Sequence, residues 1–495
     1  MSCTKAAVNR MLVAVGVALM TTVGQGCAWN RADAASTGSA GAAGAPAPGS
    51  LREVAMASRG AAQIVQSLTD EVGPRLAGSS ASRAAVEWAV RTLQARGFAN
   101  VHTEPVTVPH WQRGEERGAV VSPVAQPVQL TALGGSIGTP PGGLEAEVVE
   151  VDSLEALDKL GKAAVAGKIV FYNVPMPRAR DGSGYGKAVQ VRGAGAIRAA
   201  ALGGVGVVIR SVGTDQNRLP HTGAMRRDEN SPTVPAAALS IPDADLLHRL
   251  LTEHKSVRLA LTLGCRWLPD AQSANVIGEI PGAGAPDEIV LLGAHLDSWD
   301  LGTGALDDGA GVGIVVNAAQ QIGSLQLRPR RTVRVILFAN EENGLSGARA
   351  YAQAHQIEAA KHIAALEADA GTARAYALRY LGAPEGRARL LEIAAGLKPL
   401  GIDFDDADAH GGADLGPLRA LGVPMIDLAQ DVTTYFDFHH TANDTFDKID
   451  PEALAQVSAA VALAANGIAN MNGDFGRVPA DKRESNRGGL LRMSF

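Results

Sequence analysis

From Ser273 to about residue 472, two kinds of apolar stretch alternate along the chain. Runs such as Glu288–Ala294, Thr332–Phe338, Ile363–Leu366 and Val423–Leu428 are nearly continuous in aliphatic residues. That is the composition of strands buried on both faces. Between them, Asp308–Ile322, Ala348–His355, Ala388–Leu397 and Pro451–Asn472 place apolar residues at three- and four-residue steps, which predicts helices. The alternation predicts an α/β unit with a central mixed, mainly parallel sheet flanked by helices. Residues 51–100 also carry helical periodicity and lead into a strand over Asn100–Pro109, so the main domain is expected to comprise 51–114 and 271–475. Between these segments the pattern changes. Short β-like runs (Leu144–Val151, Lys168–Tyr172, Val205–Val212, Thr233–Leu239) alternate with loops rich in Pro and Gly, with one helix candidate at Gly193–Leu202. Residues 115–270 are therefore expected to form an inserted β-rich domain, and 476–495, charged and glycine-rich, a loose tail.

The ends and the composition narrow the setting. Lys5 and Arg10 precede an apolar stretch over residues 11–24, which is short for a membrane span and suited to an export signal. Cleavage before Cys27 (signal 1–26) would leave a lipid-anchored cysteine, whereas the Ala-Asp-Ala at 32–34 supplies an alternative (signal 1–34). The Ala-, Gly-, Ser- and Pro-rich stretch up to residue 50 reads as a flexible linker. The expected location is outside the cytoplasm: secreted, periplasmic or anchored at the cell envelope. A net charge of −6 and the lack of a basic patch exclude nucleic acid as a partner. The densest basic run, Arg328–Arg334, borders an apolar strand and reads as a solvated loop. Of three cysteines, Cys3 falls in the signal and Cys27 is cleaved or lipidated, so Cys265 is left alone. Metal ligands must then come from His, Asp and Glu.

Those residues cluster at predicted strand ends. His295 ends one apolar run and is followed by Asp297; alternation puts both on one face, where the carboxylate could orient the imidazole. Glu341-Glu342 follow a second run, Asp369 a third, Asp307-Asp308 open a helix, and His439-His440 lie in a loop near Asp444. Ligands of open α/β sheets bind beyond the carboxyl ends of the strands. Singly, each piece is commonplace: a surface pair, a solvated turn or a helix N-cap. Together they describe a cocatalytic metal pair. Nitrogen and carboxylate donors suit Zn²⁺, two ions need a bridging carboxylate, and of two adjacent glutamates one can coordinate while the other takes a proton from water.

The segments GAHLDSWDLGTGALDDGAG, FANEENGLSG, LEADAG and HHTANDT resemble the zinc aminopeptidase and carboxypeptidase family, most closely its carboxypeptidase Q branch. Residues 101–116 and 209–225 resemble it too, so the similarity spans roughly 55–470. The resemblance implies two Zn²⁺ per chain. Asp307 would bridge, His295 and Asp369 would hold one ion, Glu342 and His440 the other, and Glu341 would be the general base. It also implies a cis peptide between Asp307 and Asp308, a protease-associated-type cap within 115–270, and small peptides, chiefly dipeptides, as substrates. A homodimer stays open. Two positions depart from the family pattern: Asn343 follows the glutamates, and His439 stands where many relatives have an oxyanion-binding Tyr. His439 and Asp444 are therefore read as oxyanion or supporting residues. An aminopeptidase is the main alternative to a carboxypeptidase or dipeptidase. A one-zinc glutaminyl cyclase-type acyltransferase and a non-catalytic receptor-like module are the remote ones. For the carboxylate of a substrate, Arg192, Arg210, Arg226 and Arg227 are candidate anchors.

Overall fold

The computed structural model describes residues 50–483 apart from residue 229. The signal, the cleavage sites and most of the linker lie outside the described residues.

Eight strands form the main sheet, in the order Ala99–Gln112, Arg266–Ile280, Arg331–Phe338, Ala285–His295, His362–Glu367, Met425–Gln430, Ala375–Leu381, Asp403–Phe404. The four central strands, from Arg331–Phe338 to Met425–Gln430, are mutually parallel, and antiparallel strands flank them. The sheet is thus mixed with a parallel centre, as the apolar runs predict. Ile289–Ala294 are buried at every position because helices cover both faces. Two of these helices, Ala310–Gly323 and Pro451–Asn470, are themselves buried almost all round and pack on each other. The second is long and apolar enough to cross a membrane, yet its surface is spent on the core. It starts where chemistry dictates: Asp450 accepts from the backbone N–H groups of Glu452 and Ala453, with Pro451 in the first turn.

Strands between residues 116 and 263 build a second eight-stranded sheet. Its centre, Leu144–Val151, Ile169–Tyr172, Gly206–Arg210 and Ala236–Leu239, is parallel. Parallel neighbours need crossover helices, and Leu154–Leu160 and Tyr185–Ala201 supply two of them. The segment is accordingly more helical than its turn-rich sequence predicts. The helix Ile241–Glu253, capped by Ser240 with Pro242 in the first turn, went unread. The expected boundary at 270/271 falls inside a strand, since Arg266–Ile280 runs on continuously against Ala99–Gln112. The described part of the expected loose tail, 476–483, is packed against the domain, and the rest lies outside the described residues. Val478 is fully buried, and Arg477 donates to the carbonyls of Ala359 and His362.

A polar hydrogen-bond chain links two of the central strands, Arg331–Phe338 and His362–Glu367, through the helix Ser346–Ala354. Arg334 donates to the Tyr351 hydroxyl (2.9 Å), which donates to His362 Nε2 (3.0 Å), while His362 Nδ1 donates to the Glu358 carbonyl (3.1 Å). Burial, with Arg334 nearby, lowers the His362 pKa to about 4. A histidine whose folded pKa is depressed leaves stability intact above its unfolded value and removes it as pH falls towards the folded one. Between pH 6.5 and 4 this group should cost about 3 kcal/mol. Urea unfolding at pH 7.5 and 4.5 should therefore show a smaller acid loss in His362→Gln than in the wild type. An equal loss would mean that His362 is protonated as readily folded as unfolded.

Candidate metal centre

The predicted donors converge where three parallel strands end. His295 is the last residue of Ala285–His295, Glu341 and Glu342 follow Arg331–Phe338, and Asp369 follows His362–Glu367. Asp307 lies in a single wide turn, Ala305–Gly309, just before the helix that starts at Ala310, and its peptide bond to Asp308 is cis. His440 sits in the loop after Met425–Gln430 with φ of +63°, and Asn340, directly before the glutamates, has φ of +62°. Left-handed backbone at two non-glycine residues in one site marks conformations that the surroundings must enforce.

Asp307 joins two donor groups. Its Oδ1 lies 3.0 Å from His295 Nε2, and its Oδ2 lies 3.2 Å from His440 Nε2. Asp369 Oδ1 is 3.7 Å from the first imidazole, and Glu342 Oε2 is 3.2 Å from the second. All of these residues are buried except Asp369, which is partly so. His439 also approaches: its ring stacks on His440 (3.5 Å between centroids) and its Nε2 is 3.5 Å from Asp307 Oδ2. Asp308 lies within ligand reach of His295, but its oxygens are engaged by the backbone N–H groups of His295 and Gly311. It therefore fastens the strand end to the helix start.

The carboxylate of Asp297 differs from expectation. His295 Nδ1 donates to the Asp297 backbone carbonyl at 3.1 Å, while the carboxylate stands 3.8 Å away and accepts from the Glu341 N–H. The strand ends at His295, so alternation no longer governs where the Asp297 side chain points. Asp297 thus positions the glutamate pair rather than the imidazole. Asp444 accepts from the N–H groups of Leu306 and Asp307, anchoring the turn that carries Asp307. Three supports escaped sequence reading. Fully buried Arg75 donates to the carbonyls of Leu296, Thr303 and Gly304 and so fixes the loop after His295. Thr222, from the second-sheet region, accepts from His440 Nδ1 (3.2 Å) and donates its N–H to the His440 carbonyl. Asp414 is a buried carboxylate beside this acidic cluster. A backbone carbonyl leaves no trace in sequence, and a lone Arg or Asp carries no motif.

The electrostatics call for cations. Burial, with repulsion among the acids adding to it, raises the pKa of Glu341, Glu342, Asp369 and Asp414. Burial also pushes Asp444 up to about 7. Asp307 is held well below its ordinary value because hydrogen bonds from His295 and His440 outweigh its burial. His440 rises to about 9 against its own burial, through Glu342 and Asp307. Burial and the neighbouring His440 hold the His439 imidazole well below its ordinary pKa. One oxygen each of Glu341, Glu342 and Asp297 is buried with no hydrogen-bond partner. Buried, unpartnered carboxylate oxygens of this kind are costly unless a cation faces them. The donors are imidazole nitrogens and carboxylate oxygens, which fit zinc.

Such a donor set over the carboxyl ends of a parallel sheet defines an α/β protein with a zinc-type metal centre. Residues 275–465 match the model of Peptidase family M28. The chain is 38% identical to mouse (Mus musculus) carboxypeptidase Q over 82% of its length and 84% of that protein. It superposes on a peptidase M28 precursor from Shewanella amazonensis with a TM-score of 0.85 at 47% identity, covering 87% of this chain and 97% of that one. A zinc aminopeptidase from Bacillus subtilis shares the fold at 19% identity, with a TM-score of 0.61 over 86% and 98% of the two chains. The chain belongs to peptidase family M28, on its carboxypeptidase Q branch. It is a zinc metallopeptidase, and its substrates are peptides.

Proposed function

We propose that this chain is an exported, two-zinc exopeptidase that cleaves small peptides, chiefly dipeptides, as a carboxypeptidase. The observation that carries the two-ion reading is the Asp307 carboxylate, whose two oxygens face His295 and His440 separately. In this reading His295, Asp307 and Asp369 hold one ion, and Asp307, Glu342 and His440 hold the other. Zinc held there would supply Lewis acidity to the scissile carbonyl and would lower the pKa of water in the site. Glu341 takes the proton from the attacking water and passes it to the leaving amine. Its buried, unpartnered Oε1 and its raised pKa suit a group that must hold a proton between the two steps. His439, neutral and stacked on His440, is suited to donate a hydrogen bond to the developing oxyanion. The second sheet acts as a protease-associated-type cap that limits substrate length. Export would leave the chain either anchored by a lipid at Cys27 or released by cleavage after Ala34.

Zinc content and product analysis test the reading together. Two zinc ions per chain are expected; one would favour the cyclase-type alternative, and none the receptor-like one. Chelation should abolish hydrolysis and added Zn²⁺ restore it. Free dipeptides should be cut, C-amidated ones poorly and proteins hardly at all. Stepwise trimming of C-amidated peptides from the N-terminus would establish the aminopeptidase alternative instead.

A further inference from the structure

The helix Tyr185–Ala201 turns a stripe of Tyr185, Ala188, Val191, Gly195, Ala196 and Ala199 inward, and Arg192 lies on that same buried stripe. Arg192 is only 5% exposed. A guanidinium in such a place normally has a carboxylate for company. Arg192 forms no ion pair with a carboxylate among the described residues. Its Nη2 donates to the Tyr185 hydroxyl at 2.7 Å, and its Nε is buried with no partner. Nη1 lies 3.5 Å from His440 Nδ1, but that nitrogen already donates to the Thr222 carbonyl. Two N–H groups therefore face each other, and Arg192 gains no acceptor there. The seat is built: Gly223, at φ of +134°, passes so close that a Cβ on it would lie 2.3 Å from Arg192 Nη1. Two of the other candidate arginines are engaged. Arg210 is bound by Asn173 and Asp245, and Arg227 lies over the Trp267 ring.

We propose that Arg192 is a specificity-determining residue that binds the free carboxylate of the substrate. This deepens the dipeptide-cleaving carboxypeptidase reading and rests on it. Only the width of one imidazole, that of His440, separates Arg192 from Asp307 and Glu342. In a dipeptide the terminal carboxylate follows the scissile nitrogen by a single Cα, so the span from cleaved bond to anchor is short. A longer C-terminal extension would place its carboxylate beyond reach. Nε and one Nη of a guanidinium form a planar fork that matches both carboxylate oxygens, which a neutral C-terminal amide cannot pair as well.

The test compares wild type, Arg192→Gln and Arg192→Lys on one free dipeptide and its C-terminal amide, with zinc content and melting temperature measured alongside. Arg192→Gln should lower kcat/KM for the free dipeptide about 100-fold, mostly through KM, and the amide only a few-fold. Arg192→Lys should recover part of the loss, because a point charge replaces the fork. Zinc should stay bound. Persistence of the wild-type preference for the free carboxylate in Arg192→Gln overturns the anchor and leaves the proposed function standing. Equal losses on both substrates, or loss of zinc, also overturn it and make Arg192 a support of the metal loop. A wild type indifferent to the terminal carboxylate removes both readings at once.

Discussion

Glu341→Gln is expected to bind zinc as the wild type does and to lose about 10³-fold in kcat, with little change in KM. The amide keeps the volume and one hydrogen-bonding oxygen of the carboxylate, and it accepts the Asp297-oriented backbone position unchanged. Only the capacity to take a proton goes. That proton transfer is a step which the two neighbouring carboxylates, Glu342 and Asp297, are not placed to take over. Glu342 faces His440 at 3.2 Å and is committed to it, while the Asp297 carboxylate is engaged by the Glu341 N–H. The measurement is single-turnover hydrolysis of a saturating dipeptide together with metal analysis of the same sample. A variant that retains zinc and cleaves within ten-fold of wild type would remove Glu341 from the base role.

Asp307→Ala should be the more damaging change, because it acts on the metal rather than on the proton. Both donor groups meet at this carboxylate, so its loss leaves His295 with Asp369 on one side and His440 with Glu342 on the other, each group short of a ligand. Zinc content should fall below one per chain after dialysis, and activity should fall below detection. A second signature separates this from simple misfolding. Native-state ligands raise stability by mass action, about 2.7 kcal/mol at a hundred-fold excess over Kd. The wild-type melting temperature should therefore rise with added Zn²⁺, whereas that of Asp307→Ala should stay flat while its circular dichroism remains native. A variant holding two zinc ions would show that Asp307 is not the bridge.

Much of this arrangement is legible in the amino-acid sequence, for identifiable reasons. The central strands are aliphatic throughout because both faces are covered, and that leaves a run no surface residue interrupts. The chemistry then falls immediately after such runs, at His295, Glu341-Glu342 and Asp369, where topology brings strand ends together. What the sequence conceals is contact made by backbone or across long separations. The Thr222 carbonyl beneath His440 links residues 218 apart. Strand alternation predicts the Asp297 carboxylate on the imidazole, but the strand ends at His295 and the alternation ends with it. The short strands Gln126–Val128 and Leu130–Ala132 were missed because three residues carry no period.

The bond pair between Thr222 and His440 has a further implication for how such an enzyme opens. The His221 imidazole adds to it, bridging the His439 carbonyl and Asp215 at 2.7 Å each. Residues 221 and 222, which lie between strands of the second sheet, are thus tied by hydrogen bonds to the loop that carries His440, and moving that sheet away as one piece would break them. If the second sheet caps the site as proposed above, substrate and product would pass between side chains at its rim, and the site would work as a sieve of fixed mesh rather than a hinged box. An attempt to widen the specificity by trimming the layer back to a short connector would loosen the floor along with the ceiling. Enlarging the rim one side chain at a time is the route that leaves the metal loop alone.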